Sequence, residues 1–344
     1  MGGLVLLLAP AMTASAPQLI DKFGRKVDYI RLSVTDRCDF RCVYCMTEDM
    51  TFLPRSQILS LEELHLVARA FTELGVRRIR ITGGEPMVRS DIMTLMNNLG
   101  ALEGLDELLL TTNGAQLDKY AVPLREAGVN RINISIDSLQ ADRFARISRV
   151  GRLDRVLAGI EAARQAGFER IRLNAVIMKG YNDDEVLDLV DFALQRELDI
   201  AFIEEMPLGQ ASDHDREATL CSNDWVREVI STRHQLVDSA VKTAGPSRYC
   251  QVAGTASRIG FISPVSHNFC ADCNRVRVTV EGRLLLCLGN EHSMDLRAIL
   301  RDPARNFDDL KQAIVKAMDL KPEKHYFYDR DHAQPVRLMN MTGG

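Results

Sequence analysis

Six short apolar runs, Tyr29–Val34, Arg78–Thr82, Glu107–Thr111, Arg131–Ile136, Arg170–Ile177 and Ile200–Glu205, recur along the chain, each followed by a helix-like stretch. Two of those stretches, LEELHLVARAFTELG and LDRVLAGIEAARQAG, are amphipathic and end in Gly75 and Gly167, as helices often do. Strands alternating with helices mean βαβ units on a parallel sheet. The expected fold class is therefore α/β: an incomplete, TIM-like (β/α)6 barrel, open on one side. In α/β barrels chemistry sits on loops at the C-terminal ends of the strands.

From about Met206 the pattern changes. PLGQASDHDREATL is polar and irregular, and a helix is expected near Asn223–Thr232. Strand-like runs follow at Arg248–Val252 and Ser257–Ile262, then a hairpin over Arg275–Leu288 turning at Glu281–Gly282. Two short helices, Asp295–Leu300 and Phe307–Met318, precede an extended tail. The expected organisation is a flexible extension over 1–17, the barrel over 18–210, a C-terminal α+β region over 211–325, and a tail over 326–344 ending in Gly-Gly.

The chain has 344 residues, 46% hydrophobic and 26% charged, the balance of an ordinary soluble globular protein. Its formal charge of −4 exerts no general pull toward nucleic acid or membrane. The N-terminal apolar run, Leu4 to Ala9, lacks the basic flank of a signal peptide and is too short to span a bilayer. Six of the eight cysteines fall in two tight groups, which reads as metal ligation in a reducing compartment and places the protein in the cytoplasm. Cys221 and Cys250 read as structural thiols.

The first group, Cys38, Cys42 and Cys45 in CDFRCVYC, directly follows the first apolar run. Three thiolates hold three corners of a [4Fe–4S] cluster, whereas a fully ligated cluster takes four. No further cysteine follows before Cys221. One iron would keep an open position, as a catalytic metal must. The competing reading is a zinc knot or stray thiols. CxxxCxxC with Tyr44 before its last cysteine is the signature of radical S-adenosylmethionine (SAM) enzymes.

TGGEP, Thr82–Pro86, closes the second run; paired glycines let backbone approach a ligand, and Glu85 adds an acceptor for an ammonium group. TTNG (Thr111–Gly114) and ISIDS (Ile134–Ser138) end the third and fourth runs and suit ribose, carboxylate or phosphate contacts. Plain turn and capping chemistry would also account for them. The second cysteine group is Cys270, Cys273 and Cys287. Three thiolates there fit a second cluster with one free iron, or a structural zinc completed by His267 or His292. Arg275 and Arg277 alternate on one strand face beside it, a fit for phosphate or else a solvated face.

At this point the sequence closely resembles the MoaA family, the GTP 3′,8-cyclases of molybdenum-cofactor biosynthesis. The likeness runs from about Asp21 to Gly344 and includes YIRLSVTDRCDFRCVYCM, RIRITGGEP, TTNG, INISID, FIEEMPLG, CADCNRVRV with its third cysteine, and the terminal Gly-Gly. It implies a first [4Fe–4S] cluster on Cys38, Cys42 and Cys45 that cleaves SAM, with Tyr44, Gly84, Ser135 and Met206 at SAM-contacting positions. It implies a second cluster on Cys270, Cys273 and Cys287 that holds the guanine of GTP. Arg31, Arg80, Thr111, Arg172, Arg275, Val276 and Arg277 then fall at GTP-contacting positions, with Arg275, Arg277, Gly343 and Gly344 carried over as catalytic. The implied partners are GTP, SAM, a flavodoxin- or ferredoxin-type reductant and the downstream cyclic pyranopterin monophosphate synthase; a homodimer stays open. Arg172 replaces the Lys of some relatives and Ala201 replaces an Arg. The alternatives are another radical SAM enzyme with an auxiliary cluster, of peptide-maturase type, or a non-catalytic Fe–S or zinc module.

Overall fold

The computed structural model describes residues 18–209, 215–241, 243, 245–327 and 335–343. The expected extension over 1–17 and the candidate residue Gly344 lie outside them. Six strands run in sequence: β1 Tyr29–Ser33, β2 Arg78–Thr82, β3 Glu107–Thr112, β4 Val129–Ser135, β5 Arg170–Val176 and β6 Asp199–Ile203. Each pairs in parallel with the next. Helices α1 (Leu61–Glu73), α2 (Ile92–Gly100), α3 (Leu117–Glu126), α4 (Ala141–Ser148), α5 (Leu153–Gln165) and α6 (Val186–Gln195) connect them. Local sequence sets their ends: Ser60 and Glu63 close a reciprocal capping box at the start of α1.

The C-terminal region does not form a separate layer. After α7 (Arg216–Thr219) and α8 (Asn223–Ser231) come β7 (Leu236–Asp238), β8 (Arg248–Val252) and β9 (Arg258–Ile262). β9 adds in parallel to β6, and β8 and β7 follow antiparallel. β10 (Arg275–Val278) then crosses to the opposite edge and adds in parallel to β1, with β11 (Arg283–Leu285) and β12 (Ser293–Asp295) outside it. The result is one sheet of twelve strands in the order β12-β11-β10-β1-β2-β3-β4-β5-β6-β9-β8-β7. Helices α9 (Leu296–Leu300) and α10 (Phe307–Ala317) follow, the latter packed on α1. The expected extended tail instead ends in a helical turn, α11 (Met339–Thr342), with Asn340 and Thr342 buried.

Strand periodicity divides the two faces. In β5, Ile171, Leu173 and Ala175 are buried under the helices, while Arg170, Arg172, Asn174 and Val176 face the lumen side. The apolar core lies between sheet and helices, for example Ile79 and Ile81 with Leu64, Val67 and Phe71 of α1. The lumen carries the arginines and Asn174 among apolar neighbours such as Leu109, Ile203 and Met206.

Ile30 sits fully buried at the seam, in register with Val276 on one side and Ile79 on the other. Ile30→Ala should cost about 2–5 kcal/mol. Because both halves of the chain share this sheet, the single tryptophan, Trp225 in α8, should report the same shift in urea midpoint as far-UV circular dichroism. An unshifted Trp225 transition would show that the halves unfold independently.

Candidate active site

The loop after β1 carries the first cysteine triplet. Its course is fixed by donors on neighbouring segments: Asn113 Nδ2 and Gln116 Nε2 donate to the Asp39 carboxylate at 2.6 and 3.1 Å. Arg41 donates to the carbonyls of Cys38 and Phe40 at 2.6 and 2.8 Å. The Tyr44 hydroxyl donates to Asp137 Oδ2 at 2.8 Å. Cys38, Cys42 and Cys45 thereby line one cavity together with Tyr44, Gly84, Ser135, Asp137, Asn174 and Met206. Burial pushes all three thiols up, Cys45 to about 12. Such thiols ligate only when a bound cation makes them thiolates.

The glycine loop after β2 forms another wall. A Cβ on Gly84 would meet the Arg37 carbonyl oxygen at 2.2 Å, so only glycine lets the two backbones cross there. Glu85 corrects the sequence reading. It is fully buried, and its carboxylate accepts from Met87 N (3.0 Å), Thr112 Oγ1 (2.8 Å) and Asn113 N (2.6 Å). It braces the β2 loop against the β3 loop and does not line the cavity, which leaves the neighbouring backbone of 82–84 to meet a ligand.

A second cavity occupies the lumen and is lined by Cys270, Cys273, Cys287, Tyr29, Arg31, Arg80, Arg172, Arg275, Val276 and Arg277, among others. Cys270 and Cys273 precede β10, and the antiparallel return of β11 brings Cys287 back to the same end. β10 is parallel to β1, so the triplets lie toward opposite ends of the strands. The two cavities share Asn174, Ile203 and Met206. Burial pushes the Cys273 thiol up, but the Lys321 ammonium and the Arg275 guanidinium outweigh it and bring it to about 7. The imidazoles suggested for a zinc site are placed elsewhere: His267 Nε2 is 2.7 Å from Asp224 Oδ2, and His292 is exposed. His325, unremarkable in sequence, lines this cavity instead. Among the described residues no three His, Cys, Asp or Glu side chains converge on a single-ion site. Each triplet lines its own cavity.

The lumen's charge is unusual. In register, Arg277 lies beside Arg31 and Arg31 beside Arg80. Like charges directly opposite on adjacent strands are destabilising. Arginines outside this row are neutralised: Arg78 pairs with Asp28 and Glu107, Arg131 with Glu107, Arg170 with Asp199. Among the described residues, Arg31, Arg80, Arg172, Arg275 and Arg277 have no carboxylate partner. Arg31 Nε is buried without a hydrogen-bond acceptor. Burial and then its neighbour Arg277 hold Arg31 well below its ordinary range, and burial and Arg275 bring Arg277 to about 10. Unpaired guanidiniums in a row have the donor geometry and charge that suit a polyanion.

Residues that the sequence reading passed over complete the lumen. Tyr29 is buried, and its hydroxyl accepts from Arg80 Nε at 2.6 Å. Burial raises this phenol, but Arg80, Arg31 and Arg275 overcome it and hold it at about 8. Tyr249 accepts from Arg172 Nη1 at 2.8 Å. Thr111 lines the first cavity rather than the second, with its hydroxyl 3.4 Å from Arg80 Nη1. The α11 segment enters from the C-terminal side: Asn340 Nδ2 donates to the Asp36 carbonyl at 2.9 Å, and Arg277 Nη1 donates to the Gly343 carbonyl. Gly343 has φ of +73°, and a Cβ there would meet Thr82 Oγ1 at 1.9 Å. Alternation along β5 from Arg172 is a signal that would have found Asn174; nothing local marked Tyr249 or Asn340. Cys221 and Cys250 are buried away from both cavities, and burial pushes each up to about 11.

Residues 32–193 match the Radical SAM superfamily and residues 198–327 match Molybdenum Cofactor Synthesis C. The chain is 61% identical to the GTP 3′,8-cyclase of Ectopseudomonas mendocina over 95% of this chain and 99% of that protein. It is 58% identical to GTP 3′,8-cyclase 2 of Pseudomonas aeruginosa over 96% and 100%, respectively. In fold it is similar to Streptococcus suis SuiB, at a TM-score of 0.59 and 17% identity over 84% of this chain and 67% of that one.

Burial pushes Glu85 up to about 7 and Asp137 up to about 6 against the hydrogen bonds that oppose it. A folded state that keeps protons the unfolded chain has lost is destabilised as pH rises between the two values. The stability of the metal-free chain therefore carries a falling contribution from about pH 4 to about pH 7. Glu85→Gln should flatten that slope in urea titrations at about pH 5 and about pH 7.5. An unchanged slope would show that Glu85 stays ionised.

Proposed function

This chain belongs to the GTP 3′,8-cyclase family, and on that premise we propose how its residues divide the work. The reaction is the radical SAM-dependent conversion of GTP to 3′,8-cyclo-7,8-dihydro-GTP, the first step of molybdenum-cofactor biosynthesis. The enzyme uses [4Fe–4S] clusters and SAM. The observation that carries the site assignment is the row of arginines without carboxylate partners in the cavity that also holds the second cysteine triplet.

Cys38, Cys42 and Cys45 would hold the first cluster, with Tyr44, Gly84, Ser135 and Met206 around SAM. That group, when bound, would supply the one electron that splits SAM into methionine and a 5′-deoxyadenosyl radical, and this radical would take hydrogen from the substrate. Cys270, Cys273 and Cys287 would hold the second cluster and with it the purine. The product joins ribose C3′ to guanine C8, so the nucleotide must be held folded, with sugar and base facing each other. Arg31, Arg80, Arg275 and Arg277 would supply fixed donors for the triphosphate, and Val276, between the last two in sequence, borders the same cavity. Tyr29 orients Arg80, and Tyr249 with Asn174 orients Arg172. Thr111 stands where the two cavities approach each other. Gly343, packed against Thr82 at the wall of the first cavity, would organise the radical end of the site rather than anchor substrate, and Gly344 is assigned the same role on the family likeness.

The remaining partners are part of this proposal: a flavodoxin- or ferredoxin-type reductant, a downstream cyclic pyranopterin monophosphate synthase, and a homodimer. A cytoplasmic setting fits six cysteines committed to oxygen-sensitive groups. Among the described residues no helix is long and apolar enough to cross a membrane.

Anaerobic reconstitution should give about eight irons per chain. Incubation with GTP, SAM and reductant should then give a nucleotide product identified by mass analysis as the cyclised dihydro species. Arg275→Ala and Arg277→Ala should each weaken GTP binding by about tenfold to a hundredfold, with a smaller salt dependence. Unchanged GTP affinity in both would return the row to a structural role.

Gly343→Ala should displace the α11 segment from Thr82 while leaving iron content and GTP affinity near wild type. Cyclic product formed per SAM cleaved should fall severalfold. An unchanged ratio and rate would show that this segment takes no part in the chemistry.

A further inference from the structure

Lys321 is 1% exposed and sits in the turn after α10. Its ammonium has three donors, and all three are used: toward Cys273 Sγ at 3.4 Å, the Arg275 carbonyl at 3.2 Å and the Leu286 carbonyl at 3.0 Å. Among the described residues no carboxylate pairs with it. A buried cation without a counter-charge is strongly unfavourable. Arg25 on the same wall already pairs with Asp21, and of the three partners of Lys321 only the Cys273 sulfur can carry a negative charge.

The position is fixed from outside. Arg25 donates to the carbonyls of Cys270 (2.7 Å), Pro322 (2.6 Å) and Glu323 (2.7 Å), while Asp21 holds Arg25 Nε at 2.6 Å. One guanidinium therefore ties the Cys270 turn to the segment that presents Lys321. The segment that carries the lysine is thereby held against the Cys270 turn.

We propose that Lys321 is the built-in counter-charge of the Cys270–Cys273–Cys287 site, donating to the Cys273 sulfur and raising the reduction potential of the cluster held there; this rests on the cluster-binding reading of that triplet. The physical reason is that the reduced cluster carries one more electron, so a nearby fixed positive charge and an N–H···S bond stabilise it more than the oxidised one. The consequence is a substrate-side cluster that accepts an electron more readily than its three-thiolate ligation alone would allow.

The test is a redox titration of the reconstituted full-length chain followed by electron paramagnetic resonance, with and without GTP, the second site being the signal that GTP changes. Lys321→Met should lower the midpoint of that signal by at least tenfold in the one-electron equilibrium, about 59 mV, and leave the first site unmoved. Lys321→Gln, which keeps a donor but no charge, should fall between, and Lys321→Arg should stay near wild type. A wild-type midpoint in Lys321→Met with its iron retained overturns the proposal. Should Lys321→Met lose iron from the second site, Lys321→Arg decides: retention supports a charge requirement, and equal loss shows a packing role and overturns it. About four irons with no GTP-sensitive signal in the wild-type chain would sink the cluster reading itself and this inference with it; about eight irons with an unmoved midpoint would sink this inference alone.

Discussion

The parallel pairing of β1 with β10 is the contact on which the site depends. It joins residues near the two ends of the chain, Tyr29 with Arg275 and Arg31 with Arg277. Without it the six-strand sheet would expose an unpaired edge, and the second cysteine triplet would have no fixed place relative to the first. With it, the hairpin of β10 and β11 becomes a wall of the lumen, and Cys270, Cys273 and Cys287 gather at one end while the loop after β1 carries the first triplet at the other. The long loop closure is entropically unfavourable. Ile30, Val276 and Val278, all nearly or fully buried, offset it at the seam.

The same pairing creates the electrostatic tension that defines the ligand. Arg31, Arg80 and Arg277 stand on three adjacent strands, and burial deprives them of water. Nature neutralised the arginines at the strand starts with Asp28, Glu107 and Asp199 but left this row open. Neutral hydroxyls, Tyr29 and Tyr249, hold the guanidiniums in place without cancelling their charge. In the proposed site a triphosphate would restore the balance, so its binding would also stabilise the lumen.

Around the first triplet, buried acids act as braces rather than ligands. Glu85 ties two strand-end loops together, and Asp137 holds the Tyr44 hydroxyl and the Val176 amide. The motif TGGEP suggested an ammonium acceptor at Glu85, because sequence shows the carboxylate but not the three donors that already occupy it. His267 and His292 looked like ligands for the same kind of reason: proximity along the chain says little about which imidazole reaches the cavity. Lys321 and Asn340 were illegible because their partners, Cys273 and the Asp36 carbonyl, are remote in sequence.

By itself the sequence determined the strand–helix alternation, the ends of most elements, the two cysteine triplets and the arginine pair of β10, since each is written in local periodicity or spacing. It also carried the family likeness that implied GTP and SAM. The tertiary structure decided that the C-terminal strands extend both edges of one sheet, that the tail folds into a buried turn, and that the two cavities meet at Asn174, Ile203 and Met206. Strand order across a sheet is a matter of long-range hydrogen bonding and burial, to which no local pattern is sensitive. The charge left unpaired in the lumen could be seen only once that order had set each arginine beside the next.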